Sequence, residues 1–367
     1  MASSHAEVDV AAIRANVAHL ASRTSAQVMA VVKADGYGHG LVPSARAALE
    51  GGATWLGVAL LDEALALRAA GIDAPVLAWL WGPHEAPSLA AAVAAGIDIS
   101  VAGVGALEMI DDLGVPARIH LKIDTGLNRN GVTAEDWPQV VTAAAKSPAL
   151  EVVGVWSHFV YADAPGHPTI ARQVDRFAEA VDVAERAGLR PQLRHLANSA
   201  ATLTLPAAHF DLVRPGVAVY GLNPVPELPA PGLVPAMTLR SEVVLAKRVP
   251  AGEGVSYGHQ YTTTRETTLA LVPLGYADGV PRNATNRGPL AINGRRYRIA
   301  GRVCMDQIVV DVGDDDVHAG DEVVLFGPGT AGEPTAQDWA DALETIHYEV
   351  VTRVGPRVPR VHIEGRR

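Results

Sequence analysis

The segment Gln27-Val-Met-Ala-Val-Val-Lys33 runs directly into Ala34-Asp-Gly-Tyr37-Gly-His-Gly40. Its first half is an apolar run typical of a buried strand in a parallel sheet, and the glycines that follow predict a tight turn. Of the 30 lysine and arginine residues, only four are lysines, and Lys33 is one of them. An amine can lose its proton and form an imine, which a guanidinium cannot do. The segment therefore predicts either a lysine that merely reaches water from the strand end, or one that forms a Schiff base.

The strand-then-helix pattern repeats from residue 27 to about residue 220. The predicted strands end at Lys33, Val58, Trp79, Ser100, Ile123, Trp156, Leu196 and Val213. Predicted helices over 45–49, 62–70, 89–95 and 172–187 are each followed by glycine, which commonly ends a helix. This alternation predicts a parallel sheet, and eight strands favour a TIM-like (β/α)8 barrel. The alternative is a doubly wound open sheet.

The residue pattern of the chain changes after Asn223. Five prolines between residues 224 and 235 indicate a linker. The β-rich segments beyond it are 239–249, 267–273, 297–303, 307–312 and 322–326. These segments predict a mainly antiparallel β domain. The expected domains are therefore 1–230, a barrel whose first residues are able to pair with the β domain, and 231–367.

Composition excludes several classes of protein. The chain of 367 residues is 49% hydrophobic and carries a net charge of −10, which argues against nucleic acid and anionic membranes as main partners. The single cysteine, Cys304, cannot form an intramolecular disulfide, and the amino terminus does not resemble a secretion signal. We therefore expect a cytoplasmic protein without a metal site. The glycine pattern 327–332 is interpreted as a turn, because prolines interrupt the helix that a dinucleotide site requires.

Polar residues gather where the predicted barrel strands end, which is where active groups of such barrels lie. They are Lys33, Lys122 with Arg129, His158, Asn198 with Ser199, and Arg214 with Gly216. An imine-forming lysine, small groups for a phosphate and a cation for a ring nitrogen indicate a pyridoxal phosphate site. Taken singly, Ser199 would serve as a helix cap, Gly216 as a turn residue and His158 as a core histidine.

Ordered motifs throughout the chain resemble the alanine racemase family. They span about residues 6 to 361 and agree in both sequence and spacing. The motifs are 31–40 around Lys33, 120–129 ending at Arg129, Ser157-His158-Phe159, Ala197-Asn198-Ser199, Val213-Arg214-Pro-Gly216, Val255-Ser-Tyr257-Gly258, Leu274-Gly-Tyr276-Ala-Asp-Gly279, and Gly301-Arg302-Val-Cys-Met305-Asp306.

The resemblance implies a two-base interconversion of L-alanine and D-alanine that supplies D-alanine for bacterial peptidoglycan. Lys33 and Tyr257 would act on opposite faces of pyridoxal phosphate, and a homodimer would share its sites, with Tyr257 and Met305 coming from the partner. The implied cofactor-binding residues are Lys33, Tyr37, His158, Asn198, Ser199, Arg214 and Gly216. Arg129 and Met305 would bind the substrate. The implied supporting or entrance residues are Lys122, Tyr276, Arg282, Arg302 and Asp163.

Two points of the resemblance affect individual residues. In some family members the lysine matching Lys122 is carbamylated. Pro356 stands where the family usually carries a tyrosine that contacts the cofactor phosphate. The open alternatives are a racemase of another small amino acid such as serine, a non-catalytic pyridoxal phosphate-binding barrel, which would lack the second domain and Tyr257, and a decarboxylase, which would place an acid where Arg214 lies.

Overall fold

The computed structural model describes residues 4–229 and 232–365, which form two compact units. One unit comprises Ile13–Gly36 and Leu41–Leu233. The other comprises the residues up to Ala12, the short segment Tyr37–Gly40 and the residues from Val234 onward. The predicted domain boundary, between residues 230 and 231, lies outside the described residues. The grouping of Tyr37–Gly40 with the carboxyl-terminal segment is a feature that strand and helix alternation does not indicate.

The regular elements have the following bounds in chain order. The strands are β1 His5–Asp9, β2 Gln27–Val31, β3 Trp55–Val58, β4 Val76–Ala78, β5 Asp98–Val101, β6 Ala117–Lys122, β7 Leu150–Trp156, β8 Leu193–His195, β9 Leu212–Val213, β10 Met237–Glu242, β11 Leu245–Val249, β12 Gly254–Val255, β13 Tyr261–Thr262, β14 Thr267–Val272, β15 Pro289–Ile292, β16 Arg295–Arg298, β17 Ile308–Gly313, β18 Glu322–Phe326 and β19 Arg360–Ile363. The helices are Val10–Ser22, Leu41–Glu50, Leu61–Ala69, Ala86–Ala94, Val104–Asp111, Trp137–Lys146, Pro168–Arg186, Ser199–Thr204, Ala336–Leu343 and His347–Thr352.

Strands β2 to β9 form one eight-stranded sheet in the order β8-β7-β6-β5-β4-β3-β2-β9. Each ladder in it is parallel. Its two end strands are also linked, because Asp211 N donates to Arg194 O at 3.1 Å and Arg214 N donates to Ala197 O at 2.9 Å. The sheet is thus nearly closed, which confirms the barrel and excludes the open doubly wound sheet.

The barrel interior is filled by apolar side chains from several strands. A buried cluster comprises Met29, Trp55, Leu77, Val153, Leu193 and Leu212, with Trp79 packed against it. Burial of such side chains contributes about 1.5–3 kcal/mol each and is the main source of stability. This part of the barrel is therefore a packed core, and active groups of such barrels lie at the rim where the strands end.

The carboxyl-terminal unit contains the predicted antiparallel sheets, with differences in detail. The predicted β-rich segment 239–249 contains two strands, because β10 pairs with β1 and β18 whereas β11 pairs with β14 in a different sheet. The predicted segment 297–303 is strand only to Arg298, after which Ile299 makes an isolated bridge to Val310. Strand β1 lies between β10, its antiparallel neighbour, and β19, its parallel neighbour.

The turn after Lys33 has a left-handed backbone. Ala34, Asp35 and Tyr37 have φ of 54°, 52° and 53°, values that cost roughly 1–2 kcal/mol for each non-glycine residue. Two carboxylates stabilise this turn: Ala34 N donates to Glu63 Oε1 at 2.6 Å, and Leu41 N donates to Asp35 Oδ1 at 2.8 Å. Strain that is held in place by specific hydrogen bonds is typical of functional sites.

Candidate active site

The candidate residues of the barrel unit follow the ends of five different strands. Lys33 follows β2, Lys122 ends β6, His158 follows β7, Ser199 follows β8 and Arg214 follows β9. Because the carboxyl ends of parallel strands share one rim of a barrel, these side chains lie at the same end of the unit.

A cluster of cations determines the electrostatics of this rim. Burial lowers the pKa of the Lys33 amine, the nearby Arg129 lowers it further, and Glu63 opposes both effects. Burial likewise lowers the pKa of Lys122 to about 7, with Arg214 and Arg129 adding to the effect. A low amine pKa makes the neutral, nucleophilic form of a lysine available near neutral pH.

Trp156 contacts two of these cations. Lys122 Nζ lies 4.2 Å from the centroid of the indole, and Arg214 Cζ lies 4.8 Å from it. The indole nitrogen donates to Ser100 Oγ at 3.0 Å, which fixes the ring. Cation–π contacts partly offset the cost of burying charge without a carboxylate.

Arg214 is 5% exposed, and its hydrogen bonds identify acceptors around it. Nη2 donates to Ser157 O at 2.8 Å and to His158 Nδ1 at 3.4 Å. Because a guanidinium has only donors, the His158 Nδ1 must accept, so the proton of a neutral His158 lies on Nε2. Burial first, and Arg214 and the other cations next, hold the His158 pKa well below its usual value. His158 is therefore neutral at physiological pH.

Ser199 and Gly216 are joined by a hydrogen bond. The Ser199 hydroxyl, 4% exposed, accepts from Gly216 N at 2.8 Å and from Ala218 N at 3.3 Å. The preceding Asn198 caps the helix Ser199–Thr204, since its Oδ1 accepts from Ala201 N at 3.1 Å. The cap is thus Asn198, whereas the sequence alone allowed Ser199 that role.

The loop that carries Arg129 is shaped by Asp124. Its Oδ1 accepts from the backbone of Gly126, Leu127 and Asn128 at 2.8, 3.0 and 3.2 Å. Arg129 itself is exposed. Asp163, the remaining candidate of the barrel unit, lies exposed in the loop after β7.

In the other unit, four candidates line one open cavity of about 870 Å³. They are Tyr257, Tyr276, Arg282 and Arg302, and Arg353 also contributes to the lining. Arg282 lies over the Tyr276 ring, with Cζ 5.8 Å from its centroid, and donates to Val303 O at 3.0 Å. Tyr257 is 65% exposed, so its phenol is accessible from solvent in the isolated chain.

The turn that presents Tyr257 is strained. Ser256 has φ 62° and ψ −170°, a combination almost confined to glycine, which costs about 1–3 kcal/mol. The Ser256 hydroxyl donates to Arg302 O at 2.8 Å, which links the turn to the loop between β16 and β17. Strain at a candidate catalytic tyrosine indicates a position selected for function.

Met305 is positioned by a close approach of two backbone segments. Tyr276 N and Ala277 N donate to Cys304 O and Met305 O, both at 3.0 Å. A Cβ on Gly275 would lie 2.3 Å from Met305 O, so only glycine permits this approach.

We expect Gly275→Ala to lower the free energy of unfolding by at least about 2 kcal/mol, because the rigid carbonyl cannot move aside. Urea denaturation measures the change. The matched control is Gly105→Ala, since Gly105 lies within the helix Val104–Asp111 and its added Cβ meets no atom within 4 Å. The free energy of unfolding of the control is expected to rise by about 0.5–1 kcal/mol. Equal stability of the two variants would contradict the close-approach argument.

Tyr37 and Pro356 both belong to the carboxyl-terminal unit. Tyr37 is buried, and its ring centroid lies 6.5 Å from that of Tyr348. Burial and the neighbouring Tyr348 raise its pKa, so the phenol is a hydrogen-bond donor and not a base at neutral pH. Pro356 is exposed.

Comparison with known proteins assigns the chain to a family. The model of the alanine racemase amino-terminal domain matches residues 8–224, and that of the carboxyl-terminal domain matches residues 236–362. An alanine racemase of Frankia casuarinae is 62% identical over 369 residues, covering 98% of this chain and 96% of the relative. The chain belongs to the alanine racemase family. It is accordingly an isomerase, and the resemblance seen in its motifs is confirmed.

Solved alanine racemases have the same fold. The enzyme of Streptomyces coelicolor superposes with a TM-score of 0.96 at 54% identity, covering 99% of this chain and 98% of the other. The enzyme of a D-cycloserine-producing Streptomyces lavendulae superposes with a TM-score of 0.95, also at 54% identity, covering 99% and 97%. The (β/α)8 barrel followed by antiparallel sheets is therefore the alanine racemase architecture.

Within residues 4–229 and 232–365, no helix is long and apolar enough to cross a membrane. The same residues contain no group of three or more histidine, cysteine or acidic side chains arranged to hold a metal ion.

Some residues of the racemase site escaped the sequence analysis. Trp156 was given no role beyond ending a predicted strand, yet it contacts both Lys122 and Arg214. Trp79 was noted only as a strand end, yet Lys33 Nζ lies 5.9 Å from its ring centroid. Their position at strand ends beside the cationic candidates was the available signal.

Proposed function

We propose that the enzyme interconverts L-alanine and D-alanine by a two-base mechanism that depends on pyridoxal phosphate. The observation that carries the proposal is the lowered pKa of Lys33 at a rim where the nearby His158 is neutral and Arg214 is buried. A lowered pKa makes an amine easier to deprotonate, and the neutral form can attack a carbonyl and can later accept a proton from a substrate.

The residues present fit this cofactor by their chemistry. Lys33, Lys122, Arg129 and Arg214 depress the pKa values of one another or of His158, which is the signature of uncompensated positive charge. An anionic phosphate and a substrate carboxylate would relieve that charge. Lys33 would hold the cofactor covalently, and Tyr37, Asn198, Ser199 and Gly216 would hold its phosphate.

The bound cofactor would supply an electron-withdrawing ring that acidifies the substrate Cα–H bond. Arg214 would face the ring nitrogen. Since a guanidinium offers only donors, Arg214 would leave that nitrogen without a proton of its own. An aspartate in this place would do the opposite. Arg214 would therefore limit side reactions that need a more strongly withdrawing ring.

Two residues would move the Cα proton. The Lys33 amine would accept or return it on one face, and the Tyr257 phenol would do so on the other. An ordinary phenol has a pKa near 10 and needs positive neighbours to act as a base. In the racemase fold Arg214 would supply the positive charge, and the neutral His158, which accepts from Arg214, would link that charge to the phenol. Two proton carriers on opposite faces are the minimum that inversion at Cα requires.

Substrate binding would depend on Arg129 and on the backbone at Met305, which would hold the alanine carboxylate. Tyr276, Arg282, Arg302 and Asp163 would line or support the entrance. Four of these six residues, Met305, Tyr276, Arg282 and Arg302, belong to the same unit as Tyr257. We propose that a homodimer supplies them, with the partner subunit's Tyr257 facing Lys33. The enzyme would work in the cytoplasm and supply D-alanine for peptidoglycan.

The decisive experiment incubates the full-length protein and pyridoxal phosphate with a panel of L-amino acids that includes alanine and serine. Chiral chromatography then measures each D-enantiomer. The proposal requires D-alanine to form fastest, and in ²H₂O each product should carry deuterium at Cα. Faster inversion of serine would instead support the alternative substrate, and failure to invert any amino acid would refute the proposal.

Lys122 provides a separate prediction. Its pKa of about 7 leaves much of the amine neutral at pH 8, which is the form that adds carbon dioxide. We expect a carbamate on Lys122 that is lost as pH falls below 7, because protonation then removes the nucleophile. Carbon-13 NMR with labelled bicarbonate measures the carbamate, with Lys122→Met as control. A labelled signal that persists in the variant would contradict the assignment.

We also expect Lys122→Met to raise KM for alanine about tenfold by releasing Arg129.

A further inference from the structure

A chain of hydrogen bonds crosses the barrel interior behind Arg214. Arg214 Nη1 lies 3.3 Å from His195 Nδ1, and His195 Nε2 lies 2.8 Å from His120 Nδ1. His120 Nε2 lies 3.1 Å from Asp98 Oδ2. His120 and His195 are both 0% exposed and Asp98 is 1% exposed. The chain therefore runs from the candidate active-site rim to the first residue of β5 without meeting water.

The direction of every bond in this chain follows from Arg214. A guanidinium can only donate, so His195 Nδ1 accepts and a neutral His195 carries its proton on Nε2. That proton is donated to His120 Nδ1, which leaves the His120 proton on Nε2, where it is donated to the Asp98 carboxylate. Burial, with Arg214 next in effect, holds the His195 pKa well below its usual value, which agrees with a neutral ring. All three bonds are satisfied with one consistent set of protons.

The hydrogen-bond chain reduces the energetic cost of burying the Arg214 charge. The other acceptors of Arg214 in the described residues are the carbonyl oxygens of Ser157 and Leu196 and the ring nitrogen of His158, none of which is charged. A buried cation without a charged partner is costly. The rings of His195 and His120 are aligned so that the lone pair of each Nδ1 faces toward Arg214. The last bond of the chain is to the negatively charged Asp98 carboxylate.

The far end of the chain is held by a surface ion pair. Arg118 Nε donates to Asp98 Oδ1 at 2.9 Å, while its Nη1 lies 3.2 Å from Glu151 Oε2. The Arg118 side chain is 40% exposed. Arg118 Nη2 also donates to Asp98 Oδ2 at 3.3 Å, so the arginine orients the carboxylate through both oxygens, and Oδ2 accepts from His120 in addition.

The packing around the imidazoles permits little movement. A Cβ on Gly154 would lie 2.5 Å from His120 Nδ1, so β7 carries glycine where the His120 ring crosses it. The His195 ring is stacked on Trp156, with centroids 5.7 Å apart and an interplanar angle of 4°. Trp156 in turn contacts Arg214, so ring positions and the guanidinium are fixed together.

We propose that Asp98, His120 and His195 are positioning residues of the racemase, which hold Arg214 as an oriented cation through a directed hydrogen-bond chain. The proposal rests on the proposed role of Arg214 opposite the ring nitrogen. The chain acts through Arg214 and touches neither substrate nor cofactor. Its removal should therefore slow the chemical step and leave substrate binding almost unchanged.

The first test concerns the protons and does not use activity. Long-range ¹H–¹⁵N NMR of the ¹⁵N-histidine-labelled full-length protein distinguishes the two neutral tautomers. At pH 7 we expect His120 and His195, assigned through single substitutions, both to be neutral with the proton on Nε2. A charged ring, or a proton on Nδ1 of His195, would overturn the directed chain whether or not the protein is a racemase.

The second test compares two buried histidines. His120→Phe removes the middle of the chain, whereas the control His209→Phe removes a histidine that bonds Thr24 and Thr202 and has no link to Arg214. For His120→Phe we expect kcat to fall about tenfold with KM within about twofold, since a hydrogen bond to a charged group contributes on the order of one tenfold step. The control should keep kcat within about twofold.

Asp98→Asn keeps an acceptor for His120 but removes the charge, and it covers the case in which His120→Phe fails to fold. We expect a smaller fall in kcat, about threefold, again with KM almost unchanged. Equal losses in the chain variants and the control, or a loss confined to KM, would show that these residues serve stability alone. An inactive wild-type protein would refute the proposed function. The NMR result would still show whether the directed hydrogen-bond chain exists.

Discussion

Lys33→Ala is expected to lower racemisation about 10⁴-fold or more while the protein stays folded. The substitution removes the group proposed to hold the cofactor and one of the two proton carriers, and general acid–base catalysis alone is worth about 10²–10⁴-fold. Lys33 has an intermediate exposure, so its loss leaves no large buried cavity. Chiral chromatography measures the rate. Mass spectrometry after borohydride reduction measures covalent attachment of pyridoxal phosphate, which the variant should lack.

Two further variants separate the chemistry of Lys33 from its charge. Lys33→Arg keeps a positive charge but cannot become neutral near pH 7, so we expect it to be as inactive as the alanine variant. Lys247→Ala is the matched control, because Lys247 is an exposed lysine on β11. This control should keep full racemisation activity and full covalent attachment of pyridoxal phosphate. Activity of Lys33→Arg within tenfold of the wild type would mean that charge, and not the free amine, is what the site needs.

Tyr257→Phe is expected to lower racemisation about 10³-fold, because one face of the substrate then lacks a proton carrier. Tyr257 is 65% exposed, so the free energy of unfolding should hardly change. Covalent attachment of pyridoxal phosphate should persist, in contrast with Lys33→Ala. The matched control is Tyr297→Phe, which removes a hydroxyl that donates to Asp315 at 2.6 Å. Comparable losses of activity in both tyrosine variants would argue against a catalytic phenol at position 257.

Mixing the two inactive variants tests the composite site. If Lys33 of one subunit works with the partner subunit's Tyr257, a heterodimer of Lys33→Ala and Tyr257→Phe has one intact site of its two. Random exchange makes half of all dimers heterodimers, so recovery should approach about a quarter of wild-type activity. Subunit exchange is verified with differently tagged chains. Absence of recovery despite exchange would place both residues in the same chain.

The barrel could be predicted because its signals are local. Each predicted strand end is matched by a strand of the eight-stranded sheet, and helices such as Leu61–Ala69 end just before a glycine with positive φ, here Gly71 at 74°. The β domain was predicted less well because its pairings are remote in sequence. Nothing local marks His5–Asp9 as a strand, since its neighbours β10 and β19 lie more than 200 residues away. Nothing local marks the break between β10 and β11 either, because the two strands lie in one continuous run of β-forming residues but belong to different sheets.

The site divides in the same way. Lys33, Lys122 and Arg214 are charged residues at strand ends, which sequence patterns reveal. His120 and His195 lie within strands, where a single histidine resembles a satisfied core residue, and only the folded barrel brings them within 2.8 Å of each other. The hydrogen-bond chain depends on register between strands β6 and β8, which are not adjacent, and no local pattern encodes that register.

Strand β1 gives the chain an unusual order of assembly. It is made first, yet both of its neighbours come late, and β19 ends only at Ile363. At a translation rate of about 5–20 residues per second, β1 must wait roughly 20 to 70 s for β19 to emerge from the ribosome. Until then the side of β1 that pairs with β19 is an unpaired edge, open to association with other nascent chains. Deleting the last dozen residues should therefore favour aggregation during synthesis, even though the barrel segments are complete by then.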